Sequence, residues 1–184
     1  FEMMPISKND KNVVIFGLGK LGLLITQVAI SKGLTLIGVD GSNKKLSLAN
    51  KFGVQHLINI SNYKEIPNEI RKITNGLGAD IVIDTTGNPD ALKDIIESCR
   101  ARGKIHIKST HGIETPINLT DIVVRELTIY SSRCGPFDKA IEGLKSGQIQ
   151  VNNLISKRFT LEEINEAFTS YKLEKDHIKT IVTI

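Results

Sequence analysis

The sequence has little cysteine and no long hydrophobic run. Cys99 and Cys134 are its only cysteines. They are too few and too far apart for a disulfide framework or a zinc site, so the expected location is a reducing cytoplasm. The longest apolar run, residues 21–30, contains Gln27 and is too short to cross a bilayer, so we expect no membrane partner. A leader with a basic start and an apolar centre is also missing, which argues against secretion.

Charge of one sign is in excess, but it is not concentrated. The net charge is +4 and the isoelectric point is about 9.0, values that some nucleic-acid-binding proteins share. The lysines, such as Lys11, Lys44 and Lys93, are scattered and form no basic stripe. We therefore expect a solvated surface and no nucleic-acid partner.

Length and composition are those of an ordinary globular protein. The 184 residues are 40% hydrophobic and 24% charged, which suits one domain with a buried core and a small additional unit. The first residue is Phe1 rather than Met. We therefore expect a fragment, a processed product or an artificial truncation.

Strand and helix patterns alternate along residues 1–150, which is typical of a parallel sheet with helices on both faces. The expected strands are residues 13–16, 34–39, 56–60, 81–84, 104–108 and 127–131, and the expected helices are 20–31, 43–52, 66–74, 89–100 and 136–145. Residues 151–184 form a tail, with a helix that Thr160 and Glu163 cap as a capping box and a terminal strand at 179–184. The prediction is an α/β fold: a doubly wound parallel six-stranded sheet with a short C-terminal helix–strand tail.

The most informative motif is glycine-rich and lies between the first strand and the first helix. It consists of Gly17, Leu18, Gly19, Lys20, Leu21 and Gly22. A G-x-G-x-x-G pattern is weak evidence alone, but between a strand and a helix it is typical of dinucleotide binding. Gly17 permits the tight turn, Gly19 lets backbone amides approach a pyrophosphate, and Gly22 allows close helix–strand packing. The phosphates are then expected at the positive end of the helix.

The second strand ends in an acidic residue, Asp40. A carboxylate there accepts hydrogen bonds from both hydroxyls of the adenosine ribose and repels a 2′-phosphate, which favours NAD over NADP. Lys44 and Lys45 follow closely and offer an alternative contact to a phosphate or to the ribose, but no arginine comes directly after Asp40. The prediction is a Rossmann-type domain that binds NAD, and the alternative is a similar domain that has lost its ligand.

Several further segments resemble one family. They are Gly78-Ala79-Asp80, the run Asp84-Thr85-Thr86-Gly87-Asn88-Pro89, the Gly103-Lys104 turn, the stretch from Lys108 to Gly112, and the stretch from Ser131 to Phe137. Together with the glycine motif and Asp40, they resemble the zinc-type alcohol dehydrogenases of the medium-chain dehydrogenase/reductase superfamily. The stretch from Ser131 to Phe137 resembles a less characterised branch of it.

The resemblance implies that this sequence is only part of an enzyme. Proteins of that family begin with a catalytic domain that supplies the zinc ligands, and this sequence contains neither those ligands nor a structural zinc lobe. We therefore expect no catalytic residue and no metal ligand here, with zinc only in the missing catalytic domain, to which residues 151–184 belong. The full-length enzyme would transfer hydride between NAD and an alcohol or carbonyl, whereas this chain alone would bind cofactor without turnover.

The same resemblance assigns cofactor contacts beyond the glycine motif. Asp40 and Lys45 would hold the adenosine ribose, and Thr86 would lie near the adenosine side. Ser109 and the stretch from Ser131 to Arg133 would lie near the nicotinamide. In that family the last strand of the sheet pairs with its twofold mate, so the segment from Leu127 to Ser131 predicts a homodimer.

A regulatory domain is the alternative of another class. NAD-sensing gating modules of potassium channels also carry Gly-Leu-Gly before a helix and an acid at the end of the second strand. The run from Asp84 to Pro89 and the capped tail argue against that alternative.

Other chemically versatile residues receive structural interpretations. His111 is either a proton shuttle or, as we favour, a loop residue that lines the cofactor cleft. His106 and Tyr130 are expected to pack in the core or at an interface, and Cys134 is expected to be small and buried. Asp80 and Asp84 are interpreted as strand-end residues rather than a catalytic pair.

Overall fold

The computed structural model describes residues 4–174 and 176–184, in which six parallel strands form one sheet. The strands are β1 (Asn12–Phe16), β2 (Thr35–Asp40), β3 (His56–Asn59), β4 (Ala79–Asp84), β5 (Cys99–Ile107) and β6 (Thr128–Ser131). Their order across the sheet is β3-β2-β1-β4-β5-β6. The chain reverses its direction of winding between β1 and β4, and ligands of such sheets bind at that point, beyond the carboxyl ends of the strands.

Helices cover both faces of this sheet. Helices α1 (Lys20–Ser31) and α2 (Asn43–Lys51) pack on one face, whereas α3 (Ile66–Ile73) and α4 (Leu92–Ser98) pack on the other. Successive residues of a strand point to opposite faces. Val13 and Ile15 accordingly belong to the core under α1 and α2, and Val14 and Phe16 to the core under α3 and α4. The expected doubly wound six-stranded parallel sheet is confirmed.

One boundary differs from the expectation by several residues. The helix predicted for 89–100 is a 3-10 turn, Pro89–Ala91, followed by α4, which ends at Ser98. Strand β5 begins directly afterwards at Cys99, because Cys99 pairs with Ala79 and the Nε of Arg100 donates to Asp80 Oδ1 at 2.6 Å. These two contacts hold residues 99–100 beside β4, so β5 begins before the predicted strand at 104–108.

The C-terminal tail contains one strand more than expected. Strand β7 (Ile155–Thr160) pairs in parallel with β8 (Lys179–Thr183), and α7 (Ile164–Leu173) connects them. The predicted capping box is only half formed: a carboxylate oxygen of Glu163 accepts from Thr160 N at 2.8 Å, but the N-cap of α7 is Glu163 itself. A turn separates Thr160 from the helix, so its side chain cannot cap it.

The sixth strand lies at an edge of the sheet. Two helices flank it in sequence, α5 (Leu119–Val124), which was not expected, and α6 (Phe137–Lys145). Strand β6 pairs with β5 on one side, and Ile129 is 40% exposed. Across residues 4–174 and 176–184, no helix combines the length and apolar character needed to cross a membrane.

Candidate cofactor site

The glycine motif forms the turn from β1 into α1, and its geometry explains each glycine. Gly17 has a φ of +85°, which disfavours a side chain, and its N–H donates to Val39 O at 2.8 Å. A Cβ on Gly22 would lie 2.0 Å from Gly17 O, so only glycine fits there. A Cβ on Gly19 would meet no atom within 4 Å. The space next to Gly19 is therefore open to an approaching ligand.

A threonine directly after β4 fixes this turn. The hydroxyl of Thr85 lies 2.6 Å from Gly17 O and 3.0 Å from Phe16 O, and Thr85 N donates to Phe16 O at 2.9 Å. Sequence reasoning singled out Thr86 and missed Thr85, because no motif marks a residue whose role is to hold a neighbouring loop. Thr85 ties the glycine turn to the carboxyl end of β4, at the point where the winding reverses.

The start of α1 presents unused backbone donors. Gly19 is its N-cap, and no side chain that the structure describes caps the first turn. The first N–H groups of a helix have no intrahelical partner and carry partial positive charge, so they attract anions. Lys20 and Leu21 occupy this first turn, and Leu21 is 39% exposed.

The carboxylate of Asp40 is held in place by two backbone donors. Leu18 N donates to its Oδ2 at 2.7 Å, and Ser42 N donates to its Oδ1 at 2.8 Å. Each carboxylate oxygen has a second lone-pair site, and Asp40 is only partly buried. The carboxylate is therefore oriented by the protein and still able to accept from a ligand hydroxyl.

Lys45 lies in the first turn of α2, close to Asp40 in sequence. Ser42 caps this helix, since its Oγ accepts from Lys45 N at 3.2 Å. The N-cap is Ser42 and not the adjacent Asn43, which is the first residue of α2. Lys45 is half-buried and Lys44 is exposed, and both lie in the first turn of the helix that follows Asp40.

Two further predicted contact residues, Thr86 and Ser109, lie in the loops after β4 and β5, and Ser109 joins the two loops. Thr86 Oγ1 lies 2.8 Å from Asp84 Oδ1, and Ser109 Oγ accepts from Gly87 N at 2.8 Å. Both hydroxyls have partners within the protein. Their positions beyond adjacent strand ends agree with a ligand that crosses the carboxyl edge of the sheet.

A cavity of about 990 Å³ lies beyond the ends of β4, β5 and β6. One wall is the apolar side of α1, formed by Leu21, Leu24, Ile25 and Val28. Ser109, Ser131 and Arg133, all predicted for the nicotinamide side, line it as well. Ser132, which belongs to the predicted stretch from Ser131 to Arg133, lines the cavity too, and so does Lys108, for which the sequence predicted no cofactor contact.

His106 lies on the floor of this cavity. It is 4% exposed, as expected for a packed residue, and its Nε2 lies 3.1 Å from Ser132 Oγ. Burial, together with the nearby Lys108 ammonium, lowers the pKa of His106 to about 4. The imidazole is consequently neutral at physiological pH and does not add charge to the cavity.

The other predictions concern Cys134, His111 and the two acids Asp80 and Asp84. Cys134 is exposed, not buried, because it lies in the loop after β6, outside the core. His111 is not among the residues that line the cavity: its Nδ1 accepts from Ile113 N at 3.2 Å within its own loop. Asp80 and Asp84 bind backbone and side-chain donors around their strand ends and do not form a pair.

The described residues do not fit a zinc ion. Across residues 4–174 and 176–184, no group of three or more His, Cys, Asp or Glu side chains is close enough to hold a metal. The open space beside Gly19 and the oriented Asp40 carboxylate, by contrast, fit the phosphates and ribose of a dinucleotide.

Comparison with known proteins places this geometry in one family. The sequence pattern of the family described as zinc-binding dehydrogenase matches residues 21–147. Sorbitol dehydrogenase of Bacillus subtilis is 33% identical over 84% of this chain and 45% of its own length. The chain spans about half the length of the curated relatives it matches.

Solved structures agree in fold over nearly the whole chain. The 2R,3R-butanediol dehydrogenase of Bacillus subtilis is 26% identical with a TM-score of 0.85, over 97% of this chain and 52% of that one. A zinc-binding dehydrogenase of Sinorhizobium meliloti bound to NADP is 25% identical with a TM-score of 0.86, over 95% of this chain and 53% of that one. The glycine turn, the Rossmann-type sheet and these matches together show that the chain belongs to the zinc-binding dehydrogenase family.

Proposed function

We propose that this chain is the NAD(H)-binding half of an alcohol dehydrogenase-like oxidoreductase. The observation that carries the proposal is the open space beside Gly19 next to an Asp40 carboxylate that Leu18 and Ser42 orient. A pyrophosphate needs close approach to backbone amides, and an adenosine ribose needs an acceptor at the end of β2. Both requirements meet at one edge of the sheet.

The strand order supports one direction for the proposed dinucleotide. Asp40 and Lys45 hold the adenosine ribose beyond β2, and the turn from Gly17 to Gly22 holds the pyrophosphate beyond β1. Thr86 lies near the adenosine side of the crossing. The nicotinamide then lies in the cavity beyond β4, β5 and β6, near Ser109, Ser131 and Arg133.

NAD rather than NADP is the cofactor that Asp40 favours, because a carboxylate repels a 2′-phosphate. A relative bound to NADP shows that the family does not impose this choice, and Lys44 and Lys45 supply positive charge nearby. Titration calorimetry should show clearly tighter binding of NADH than of NADPH. Replacing Asp40 with Ser should weaken NADH binding by about 1–3 kcal/mol and reduce the discrimination, whereas equal wild-type affinities would refute the NAD assignment.

The chemistry of the whole enzyme is divided between the cofactor and the protein. The nicotinamide supplies the hydride when it is bound. The residues of this chain bind and orient it, and we propose that a zinc in the catalytic domain of the longer protein polarises the alcohol or carbonyl oxygen. Residues 1–150 then form the cofactor domain and residues 151–184 belong with the catalytic domain, so this chain alone binds cofactor without turnover.

We further propose a homodimer through the segment from Leu127 to Ser131. Strand β6 leaves one row of backbone N–H and C=O groups unpaired by any other strand that the structure describes. Lysine and proline usually protect an exposed edge strand from pairing, and β6 contains neither. Pairing of two β6 strands about a twofold axis would satisfy these groups and bury Ile129 against its copy.

The two unpaired cysteines suit the cytoplasm, where we place the protein. The family match favours the enzyme over a channel-gating module.

A further inference from the structure

The cavity beyond β4, β5 and β6 carries charge of one sign. Among the described residues that line it, Lys108 and Arg133 are cations and none is a carboxylate. His106 contributes no charge at neutral pH because its pKa is lowered to about 4 by burial and by Lys108. The opposite wall, on α1, is apolar. A ligand in this cavity therefore experiences a net positive potential that no anion of the lining offsets.

Hydrogen bonds fix the position of one of these cations. Lys108 Nζ donates to Ser132 O at 2.6 Å and to Ser132 Oγ at 2.8 Å. Because the Ser132 hydroxyl oxygen accepts from the ammonium, its own hydrogen is free to be donated to the neutral Nε2 of His106, 3.1 Å away. Lys108 is partly buried, so its charge is less screened by water than that of an exposed lysine.

The position of Lys108 in the sheet brings it close to the far end of a bound dinucleotide. In the proposed binding mode, the adenosine end of the dinucleotide lies at β2 and its phosphates lie at β1. Beyond β1, the strands follow in the order β4, β5, β6. Lys108 follows the last residue of β5 directly and shares the cavity with Leu21 of the glycine motif. The nicotinamide ring, which extends beyond the phosphates, has to occupy the same region.

We infer that Lys108, held by Ser132, makes this site select the reduced form of the cofactor over the oxidised form. The inference rests on the proposed function and adds a specificity determinant to it. The oxidised nicotinamide ring carries a positive charge, which the Lys108 ammonium repels, whereas the reduced ring is neutral. The adenosine and phosphate portions are the same in both forms, so the discrimination arises at the ring alone.

The test compares three ligands on the 184-residue chain: NADH, NAD⁺, and ADP-ribose, which lacks the nicotinamide. Titration calorimetry gives the ratio of the NAD⁺ and NADH dissociation constants for the wild type and for Lys108→Met. We expect the variant to lower that ratio about fivefold, the factor that corresponds to about 1 kcal/mol of charge repulsion in a water-accessible cleft. Affinity for ADP-ribose should stay unchanged, and Lys108→Arg should retain the wild-type ratio.

Two controls separate this charge from others. Lys93→Met removes an equally charged side chain that is 80% exposed on α4, and it should leave the ratio unchanged. Arg133→Met removes the other cation of the cavity lining and should have a smaller effect than Lys108→Met, because no described hydrogen bond fixes its guanidinium. Added salt should lower the ratio of the wild type more than that of Lys108→Met, which retains only the Arg133 charge.

The outcomes distinguish this inference from the proposed function. Failure of all three ligands to bind would overturn the proposed function. If all three ligands bind but Lys108→Met leaves the ratio of the NAD⁺ and NADH dissociation constants unchanged, the assignment to Lys108 alone is overturned. A ratio that changes only in Arg133→Met would overturn it as well. An equal loss of affinity for ADP-ribose would show that Lys108 supports the fold of the cleft and not the choice of redox state.

Discussion

Replacement of Gly22 by Ala tests how the glycine turn is built. The added Cβ would lie 2.0 Å from Gly17 O and 2.9 Å from Thr85 Oγ1. Since such contacts are not tolerated below about 3 Å, the Gly17 carbonyl has to move by about 1 Å, away from the Thr85 hydroxyl that it accepts from at 2.6 Å. Overpacking costs about 1–3 kcal/mol, and the shift also lengthens the hydrogen bond from Thr85. We expect the free energy of unfolding to fall by about 1–3 kcal/mol.

Replacement of Gly19 by Ala is the matched control. No atom lies within 4 Å of its added Cβ, and its φ of −70° is one that alanine adopts readily. The smaller entropy of the unfolded chain stabilises the variant by about 0.4–1 kcal/mol, while alanine is a poorer N-cap than glycine by a few tenths or more. The two effects offset each other, so stability should change by less than about 1 kcal/mol. The methyl group nevertheless occupies the space that a pyrophosphate needs.

The pair is assayed by urea unfolding and by calorimetry with NADH. The Gly22 variant should lose stability, and the Gly19 variant should remain folded but lose most of its affinity. Equal destabilisation by both substitutions would refute the packing argument. A folded Gly19 variant with wild-type affinity for NADH would refute the placement of the pyrophosphate at this turn.

Two further predictions concern the edge strand and pH. Light scattering at high micromolar concentration should show a dimer for the wild type and a monomer for Ile129→Lys, and a monomeric wild type or a dimeric variant would contradict pairing through β6. The pKa of His106 is lowered from 6.5 to about 4 in the folded state. As pH falls, His106 is therefore protonated in the unfolded chain before it is protonated in the folded one. The stability that His106 contributes is complete above pH 6.5 and declines towards pH 4. Urea unfolding at pH 7 and pH 5 should show a smaller loss for His106→Gln than for the wild type, and equal losses would argue against a neutral buried imidazole.

The glycine turn and the acid beside it could be predicted from the sequence because they are close together in the chain. Gly17, Gly22 and Asp40 belong to one strand–helix–strand unit, in which the backbone disfavours a side chain at Gly17 and leaves no room for one at Gly22. The six strands were predictable for a related reason, since their buried runs are short, β-branched and separated by helical patterns.

The contacts among the loops beyond β4, β5 and β6 could not be predicted in the same way because they join residues that are far apart in the sequence. Lys108 and Ser132 come together only when β5 and β6 pair, and Thr85 reaches the glycine turn only because β4 lies beside β1. Strand β7 was also missed, since Lys157 and Arg158 interrupt its apolar pattern. Cys134 was expected in the core, but sequence patterns do not show which side of a loop faces solvent.

The two halves of the cleft therefore differ in how firmly they are held. Around the glycine turn, the backbone bond from Gly17 to Val39 and the hydroxyl of Thr85 join three central strands that are buried on both faces. Beyond β5 and β6, the loops are joined by hydrogen bonds of the Ser109 and Ser132 side chains, and the first of these is exposed. Loops with few buried contacts open at lower free energy than central strands do. In the proposed binding mode, the nicotinamide contacts both loops and adds a further link between them, so part of the binding free energy goes into ordering this half of the cleft.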